Sequence, residues 1–226
     1  MGKLIDRTDT SYSPEALKAR FCGLWNHLSL PETGSDPTVV WAELIDSYNE
    51  PWRQYHAAKH LSHCLQQLDL ASFLMENPVA VEMALWFHDI ILQPNASDNE
   101  EKSAELFKRT AGKHFSPGFV EEVSNQILAT VHGDPPQEQD ARYLCDIDLS
   151  SIGSPWEQFL KDCAALRVEQ SGTADAQFYP AQIAFLNNLR ERPTIFLTDF
   201  FQARYERAAR ENIGRYITQL ATDGYT

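Results

Sequence analysis

The chain has 226 residues, which is long enough for one domain with a sizeable hydrophobic core. Its 32 acidic and 19 basic side chains give a formal net charge of -13 at neutral pH. Nucleic acid polymers and anionic membranes are bound through basic surfaces, so this charge argues against both as partners. A small phosphorylated substrate is still compatible with it, because a bound metal ion can supply positive charge locally.

The amino terminus and the cysteines indicate a cytoplasmic protein. Residues Met1 to Asp6 are polar and lack the apolar segment of a signal peptide. No apolar run reaches the roughly 20 residues of a membrane span. The 4 cysteines are scattered, without the paired spacing of a zinc or redox site. We therefore expect buried thiols in a reducing compartment.

Helix starts recur along the chain, where Ser, Asp or Asn directly precedes Pro and an apolar-periodic run follows. The first side chain can accept a backbone N–H of the first helical turn, and Pro at the first helical position loses no hydrogen bond. These pairs are Ser13-Pro14, Asp36-Pro37, Asn77-Pro78, Ser116-Pro117 and Ser154-Pro155. A last helix is expected from about Asp199, and no stretch alternates like a strand.

The sequence therefore predicts an all-α fold, a single helical bundle over residues 1–226. No break in composition indicates a domain boundary. We expect a core over about 37–153 that carries the site, with C-terminal helices over 154–221 packed on it.

Two histidines four residues apart, His56 and His60, lie in segment 55–65, which has helical character. A helix here would place them on one face, together with His63. One histidine could then bind a metal ion while the other, one turn earlier, acts as a general acid. The alternative is a polar helix surface with chance histidines. Ala57 follows His56, so the Glu of a His-Glu-x-x-His zinc helix is missing.

The pair His88-Asp89 ends an apolar segment that runs from Pro78 to about Ile91. This segment is apolar nearly all round, which predicts a buried helix. Burial of His and Asp side by side is costly unless they are paired or coordinate a metal ion. The pair is therefore a candidate for function, although a chance dipeptide is the alternative.

A third segment contains two carboxylates, Asp146 and Asp148. Side chains two apart on a helix point in different directions, so at most one reaches the same centre directly. The other would face solvent, cap a helix, or accept a hydrogen bond from a metal ligand. A polar helix end without function is the alternative.

His, then His-Asp, then Asp across the helices of an all-α chain resembles the HD superfamily of metal-dependent phosphohydrolases. Tyr55-His56-x-x-x-His60 is similar to the opening motif of the cyclic-nucleotide phosphodiesterases in that superfamily. Asp148-Leu149-Ser150 is similar to their segment with the last metal aspartate, which favours Asp148 over Asp146. The resemblance implies His56 as the general acid. The metal ligands that it implies are His60, His88, Asp89 and Asp148.

A closer resemblance is to a bacterial group of predicted HD-type phosphohydrolases and covers about residues 25–212. The segments that carry it are Tyr48 to His56, Trp86 to Asp89, Asp98 to Ala104, and Ala208 to Asn212. Two departures lie outside the metal motifs. Gln170 stands where a Tyr is expected after the Arg167-x-Glu169 pair, and Pro-Ala-Gln at 180–182 stands where Gly-Arg is expected. Both departures bear on the C-terminal half of the substrate pocket.

The resemblance implies a hydrolase that cleaves a phosphate ester, with a nucleotide as one candidate substrate. The cofactor would be one or two divalent ions of Mn, Fe, Ni, Co, Mg or Zn, which lower the pKa of bound water. Asp89 could bridge two ions about 3.5–4 Å apart. Two alternatives stay open: a di-iron oxygenase on the same scaffold, and a non-catalytic module that binds a metal ion or ligand.

Further side chains are weaker candidates for a second metal ion or for substrate. His132 ends an apolar helix, and Glu100 and Glu101 follow an expected helix cap. Arg53 and Lys59 flank the histidine segment and could bind phosphate. The alternatives are ordinary partners of a helix dipole and ordinary surface charge.

Overall fold

The computed structural model describes residues 12–31 and 33–225. Within these ranges the chain forms α-helices, two short 3₁₀ helices and no strand, so the all-α prediction is confirmed. The polar segment Met1 to Asp6 lies outside the described residues. The α-helices are α1 (Pro14–Leu28), α2 (Pro37–Tyr48), α3 (Ala58–Ala71), α4 (Pro78–Phe87), α5 (Asn99–Ala111), α6 (Pro117–Ala129), α7 (Gln139–Leu149), α8 (Trp156–Glu169), α9 (Asp175–Glu191) and α10 (Asp199–Thr222).

Four of the five predicted helix starts are confirmed with their caps. In each, Pro is the first helical residue and the preceding side chain accepts a backbone N–H of the first turn. The capping residues are Ser13, Asp36, Asn77 and Ser116. The fifth prediction was wrong in its cap: Pro155 is extended (φ -50°, ψ 143°), so α8 begins one residue later, at Trp156, without a side-chain cap.

Helix α4 is the centre of the bundle and packs against α1, α3, α5, α6 and α7. Its side chains from Ala80 to Phe87 are buried except for half-buried Glu82, which confirms the prediction of a buried helix. The helix ends at Phe87 and not near Ile91. His88 and Asp89 therefore lie at its C-terminal end, in the middle of the molecule.

The C-terminal helices attach to the end of α7. The short 3₁₀ helix Ser150–Gly153 continues α7, and α8 and α10 both pack against it. Asn212 of α10 donates hydrogen bonds to the carbonyl oxygens of Ile152 and Ser154, each at 2.8 Å. This contact fixes α10 relative to the last turn of α7, which carries Asp148.

No helix in the described part of the chain has the length and apolar character needed to cross a membrane. The four cysteines are free thiols. Cys64, Cys145 and Cys163 are buried as expected, whereas Cys22 is half-buried.

The approach of α10 to the 3₁₀ helix leaves no room for a side chain at Gly153. A Cβ atom there would lie 2.7 Å from Cβ of Tyr205 and 3.1 Å from its carbonyl oxygen. We expect Gly153→Ala to lower the free energy of unfolding by about 1–3 kcal/mol, measured by urea denaturation. Gly214→Ala on α10 is the control, since nothing lies within 4 Å of the added Cβ. Equal stability of both variants would contradict the close packing.

Candidate metal centre and its cavity

Three segments bring imidazole and carboxylate groups to one point in the core. His60 lies in the first turn of α3, His88 and Asp89 follow α4, and Asp148 lies in the last turn of α7. Nε2 of His60 lies 3.1 Å from Oδ1 of Asp148 and 3.6 Å from Oδ2 of Asp89. Nε2 of His88 lies 3.0 Å from Oδ2 of Asp89 and 3.5 Å from Oδ1 of Asp148.

These spacings suit four ligands of a single ion. Atoms that bind one ion at about 2.1 Å lie about 3.0 Å apart at a right angle and about 3.4 Å apart at the tetrahedral angle. The four measured separations, from 3.0 to 3.6 Å, are of this size.

The hydrogen bond of Nδ1 of His88 leaves Nε2, on the side of the cluster, available for a metal ion. Its Nδ1 donates to the carbonyl oxygen of Leu85 at 2.9 Å, so Nε2 is the nitrogen with the lone pair. Nε2 of His88 and Oδ2 of Asp89 are buried, and neither has a hydrogen-bond partner among the described residues. Buried polar atoms rarely lack partners. A cation between them would satisfy both.

Cys64 also lies at this point, and sequence patterns did not single it out as a site residue. One ligand atom each from His60, Cys64, His88 and Asp148 lie within 4.8 Å of one another, a group that could hold a metal ion. However, Sγ of Cys64 is 3.6 Å from Nε2 and 3.9 Å from Nδ1 of His60. The sulfur therefore rests beside the ring and off the lone-pair axis of Nε2. Burial also raises the pKa of the thiol well above its ordinary value, so Asp89 is the better fourth ligand.

Both aspartates are held in the ionised form that metal binding requires. Burial opposes the charge of Asp89, but His88 and His56 outweigh it and lower its pKa. Burial likewise opposes the charge of Asp148, and the hydrogen bonds from His132 and His60, with the nearby ring of His88, lower its pKa well below the usual range.

His56 lies at the edge of the metal cluster, but not on the predicted helical stripe. Helix α3 begins at Ala58, after an extended Ala57 (φ -107°, ψ 179°), so His56 belongs to the preceding turn. Its ring centroid is 5.8 Å from that of His60. Nδ1 of His56 donates to Oε2 of Glu169 at 2.7 Å, which directs Nε2 away from that carboxylate.

Glu169, the last residue of α8, is the main site residue that sequence reasoning missed. Its Oε1 accepts the backbone N–H groups of Gln54, Tyr55 and His56 at 2.7–2.8 Å. The Arg167-x-Glu169 pair was noted in the sequence, but no pattern near it in the sequence indicates a contact between Glu169 and His56. Burial disfavours the charge of His56, and Asp89, Glu169 and Asp148 outweigh burial, so the pKa of His56 is raised.

His132 lies beyond the end of α6, which stops at Ala129. Its backbone is left-handed (φ 57°), and its carbonyl oxygen accepts a hydrogen bond from Arg192 at 2.6 Å. Nε2 of His132 donates to Oδ2 of Asp148 at 2.7 Å. The structure thus places this candidate beside the cluster. Left-handed backbone is uncommon outside Gly and often marks functional sites.

The two glutamates of the first turn of α5 are placed differently. Glu100 lines the same cavity as His56 and His132, and burial raises the pKa of its carboxyl group. Glu101 is exposed and does not line this cavity. The structure therefore brings only Glu100 towards the site.

The two basic candidates do not face the site. The guanidinium group of Arg53 is buried and donates to the carbonyl oxygens of Asp89 and Ile90 at 2.6 and 3.0 Å. Lys59 is exposed and does not line the cavity. Neither side chain therefore lies where the sequence analysis expected it to contact a phosphate group in the cavity. Arg53 instead holds the turn that carries His88 and Asp89.

Asp146 points away from the metal cluster, as a carboxylate two residues from Asp148 must on a helix. It accepts hydrogen bonds from the N–H groups of Leu197 and Thr198 and from Oγ1 of Thr198, at 2.7–2.8 Å. Burial raises its pKa to about 6. The expectation that it orients a metal ligand is therefore corrected: it anchors the segment that leads into α10.

A cavity of about 580 Å³ opens on the cluster. Asp89, Asp148 and His56 contribute to its wall at the metal end. The opposite wall is formed mainly by α8 and α9. An open cavity of this volume beside polar groups is typical of a small-molecule site.

Comparison of the chain with protein families, with curated proteins and with solved structures gives no match. The likeness of its motifs to HD-type phosphohydrolases therefore stays a prediction. What the site can do follows from its own side chains.

The two carboxylates of α7 give a matched test of the metal centre. We expect Asp148→Asn to lose bound metal, because it removes a charged ligand. Asp146→Asn should keep the metal but lower the free energy of unfolding by about 1–3 kcal/mol, since one buried acceptor is lost. Metal content after gel filtration and urea denaturation check both. If Asp146→Asn lost the metal and Asp148→Asn kept it, Asp146 and not Asp148 would be the ligand.

Proposed function

We propose that the protein is a metal-dependent hydrolase of phosphate esters. The observation that carries the proposal is His56, a histidine with a raised pKa that Glu169 orients beside a cluster of metal-ligating groups. A metal centre that only stabilised the fold would need no such proton donor. This pair therefore favours a catalyst over a binding module.

The ligand set proposed for the ion is His60, His88, Asp89 and Asp148. A divalent ion held by these residues would lower the pKa of water bound to it and would neutralise charge on a phosphate group. Two imidazole nitrogens among the ligands favour Mn, Fe, Co, Ni or Zn over Mg, which prefers oxygen. His132 and Glu100 are the side chains at which a second ion would bind.

The chain's own residues complete the hydrolysis. The oxygen of water, which gives up one proton to bulk solvent, forms a bond to phosphorus as the bond from phosphorus to the ester oxygen breaks. Protonated His56 gives the proton on Nε2 to the departing oxygen, so that the alcohol leaves neutral. Glu169 keeps the ring oriented through Nδ1 and stabilises its protonated form.

The first test is hydrolysis of a panel of phosphate esters by metal-reconstituted protein. We expect Asp89→Ala to lose both metal and activity. His56→Gln should keep the metal and lose about 10²–10⁴-fold in kcat, since only the proton donor is removed. Metal content and steady-state kinetics distinguish the two.

Two results would contradict the proposal. Equal metal loss in both variants would make His56 a ligand and remove its acid role. No turnover of any ester by the metal-loaded wild type would remove the hydrolase, and a redox-active iron spectrum would then favour the di-iron oxygenase.

The pH dependence tests the role of Glu169. The acid form of His56 is lost as the pH rises through its pKa, so activity should fall on the alkaline side. Glu169→Gln removes the carboxylate that stabilises this form, lowers the pKa of His56, and should move the alkaline limb to lower pH. Profiles of kcat against pH for both proteins measure the shift. An unmoved limb would exclude His56 as the titrating acid.

A further inference from the structure

The wall of the cavity opposite the metal cluster is largely apolar. It is built by the 3₁₀ helix after α7 and by α8 and α9. Its larger apolar side chains are Ile152, Phe159, Leu166, Phe178, Phe185 and Leu186. Three aromatic rings among six side chains suit a flat, uncharged body.

The charges of the cavity exclude a substrate with several phosphates. No lysine or arginine is found among the described residues that line it. Besides the proposed metal ligands, the lining includes the carboxylates of Glu100, Asp162 and Glu169, of which Glu169 is paired with His56. A phosphate group at the metal end is neutralised by the ion and His56. Lys59 and Lys161 interact electrostatically with Asp162, but neither lines the cavity. A second phosphate further along would therefore lie beside the carboxylates of Glu100 and Asp162, and like charges repel.

Gln170 marks a polar contact within this apolar wall. It follows the last residue of α8 and lines the cavity. Its Oε1 is buried and has no hydrogen-bond partner among the residues that the structure describes. A buried carbonyl oxygen is normally satisfied. An N–H or O–H group of a ligand in the cavity would satisfy it.

We propose that the substrate is a monophosphate ester whose alcohol is an uncharged ring system of nucleoside size, with a hydrogen-bond donor that Gln170 recognises. The phosphate lies at the metal end and the ring system lies between α8 and α9. A cavity of about 580 Å³ accommodates a molecule of this size. This inference rests on the proposed hydrolase function and adds the substrate class to it.

The test compares three kinds of phosphate ester on the metal-reconstituted full chain. The probes are the four ribonucleoside 5′-monophosphates, their triphosphates, and ribose 5-phosphate. We expect kcat/KM for the best monophosphate to exceed that of its triphosphate and of ribose 5-phosphate by at least about tenfold, or 1.4 kcal/mol. Equal or better cleavage of the triphosphate or of ribose 5-phosphate would overturn the substrate class and leave the hydrolase standing. Cleavage of no ester at all would overturn both.

Gln170→Met tests the polar contact, because Met has similar length and no carbonyl oxygen. We expect kcat/KM for the best monophosphate to fall about tenfold, which is the size of one lost hydrogen bond. Cleavage of 1-naphthyl phosphate, which lacks a donor on its ring, should not change. The ratio of the two substrates is measured in one sample, so partial unfolding does not affect it. Gln219→Met on the exposed side of α10 is the control. An unchanged ratio in Gln170→Met would overturn this contact.

Asp162→Asn tests the charge argument. The amide keeps the oxygen that accepts a hydrogen bond from Gln158 at 2.8 Å, but it removes one negative charge from the wall. We expect the preference for monophosphate over triphosphate to weaken about two- to fivefold. Asp223→Asn, at an exposed helix end, should leave the preference unchanged. An equal preference in wild type and Asp162→Asn would show that the wall does not exclude the triphosphate.

Discussion

The centre of the structure depends on one largely buried carboxylate, that of Asp148, whose side chain is 16% exposed. Asp148 lies within 2.7–3.5 Å of ring nitrogens of His60, His88 and His132, which come from three different parts of the chain. A buried charge is costly unless it is paired. The fold must therefore hold α3, the end of α4 and the turn after α6 close to the last turn of α7. The hydrogen bonds of Asp146 and the packing of α10 fix the position of that turn.

Local patterns predicted the features that short-range physics determines. Helix starts followed from residues such as Asn77, whose side chain caps the helix that it precedes. The burial of α4 followed from its composition. The meeting of His60, His88, Asp89 and Asp148 was expected only because the order of these motifs resembles that of HD-type phosphohydrolases, since local patterns do not show how distant segments pack.

The roles of Glu169 and Arg53, which sequence patterns did not predict, depend on long-range contacts. Cys64, which was also missed, lies only four residues from His60. Glu169 lies 113 residues from His56, and its three backbone acceptor bonds explain why the chain before α3 forms a turn and not a further helical turn. Arg53 was a candidate phosphate-binding residue because it is basic and flanks the histidine segment. Its guanidinium group instead donates hydrogen bonds to the main-chain carbonyl oxygens of Asp89 and Ile90. The partners of Glu169 and Arg53 arrive through tertiary packing, which no local pattern predicts.

The electrostatics of the site follow from helix ends as well as from side chains. His88 and Asp89 lie at the C-terminal end of α4, and Asp148 lies at the C-terminal end of α7. The C-terminal end of a helix carries partial negative charge from its last carbonyl groups, so the ends of α4 and α7 favour a cation where the ligands meet. The N-terminal end of α3 opposes this. In a chain with a net charge of -13 and no lysine or arginine found along the described wall of the cavity, a cation bound there would, together with protonated His56, supply the positive charge that the proposed phosphate substrate needs.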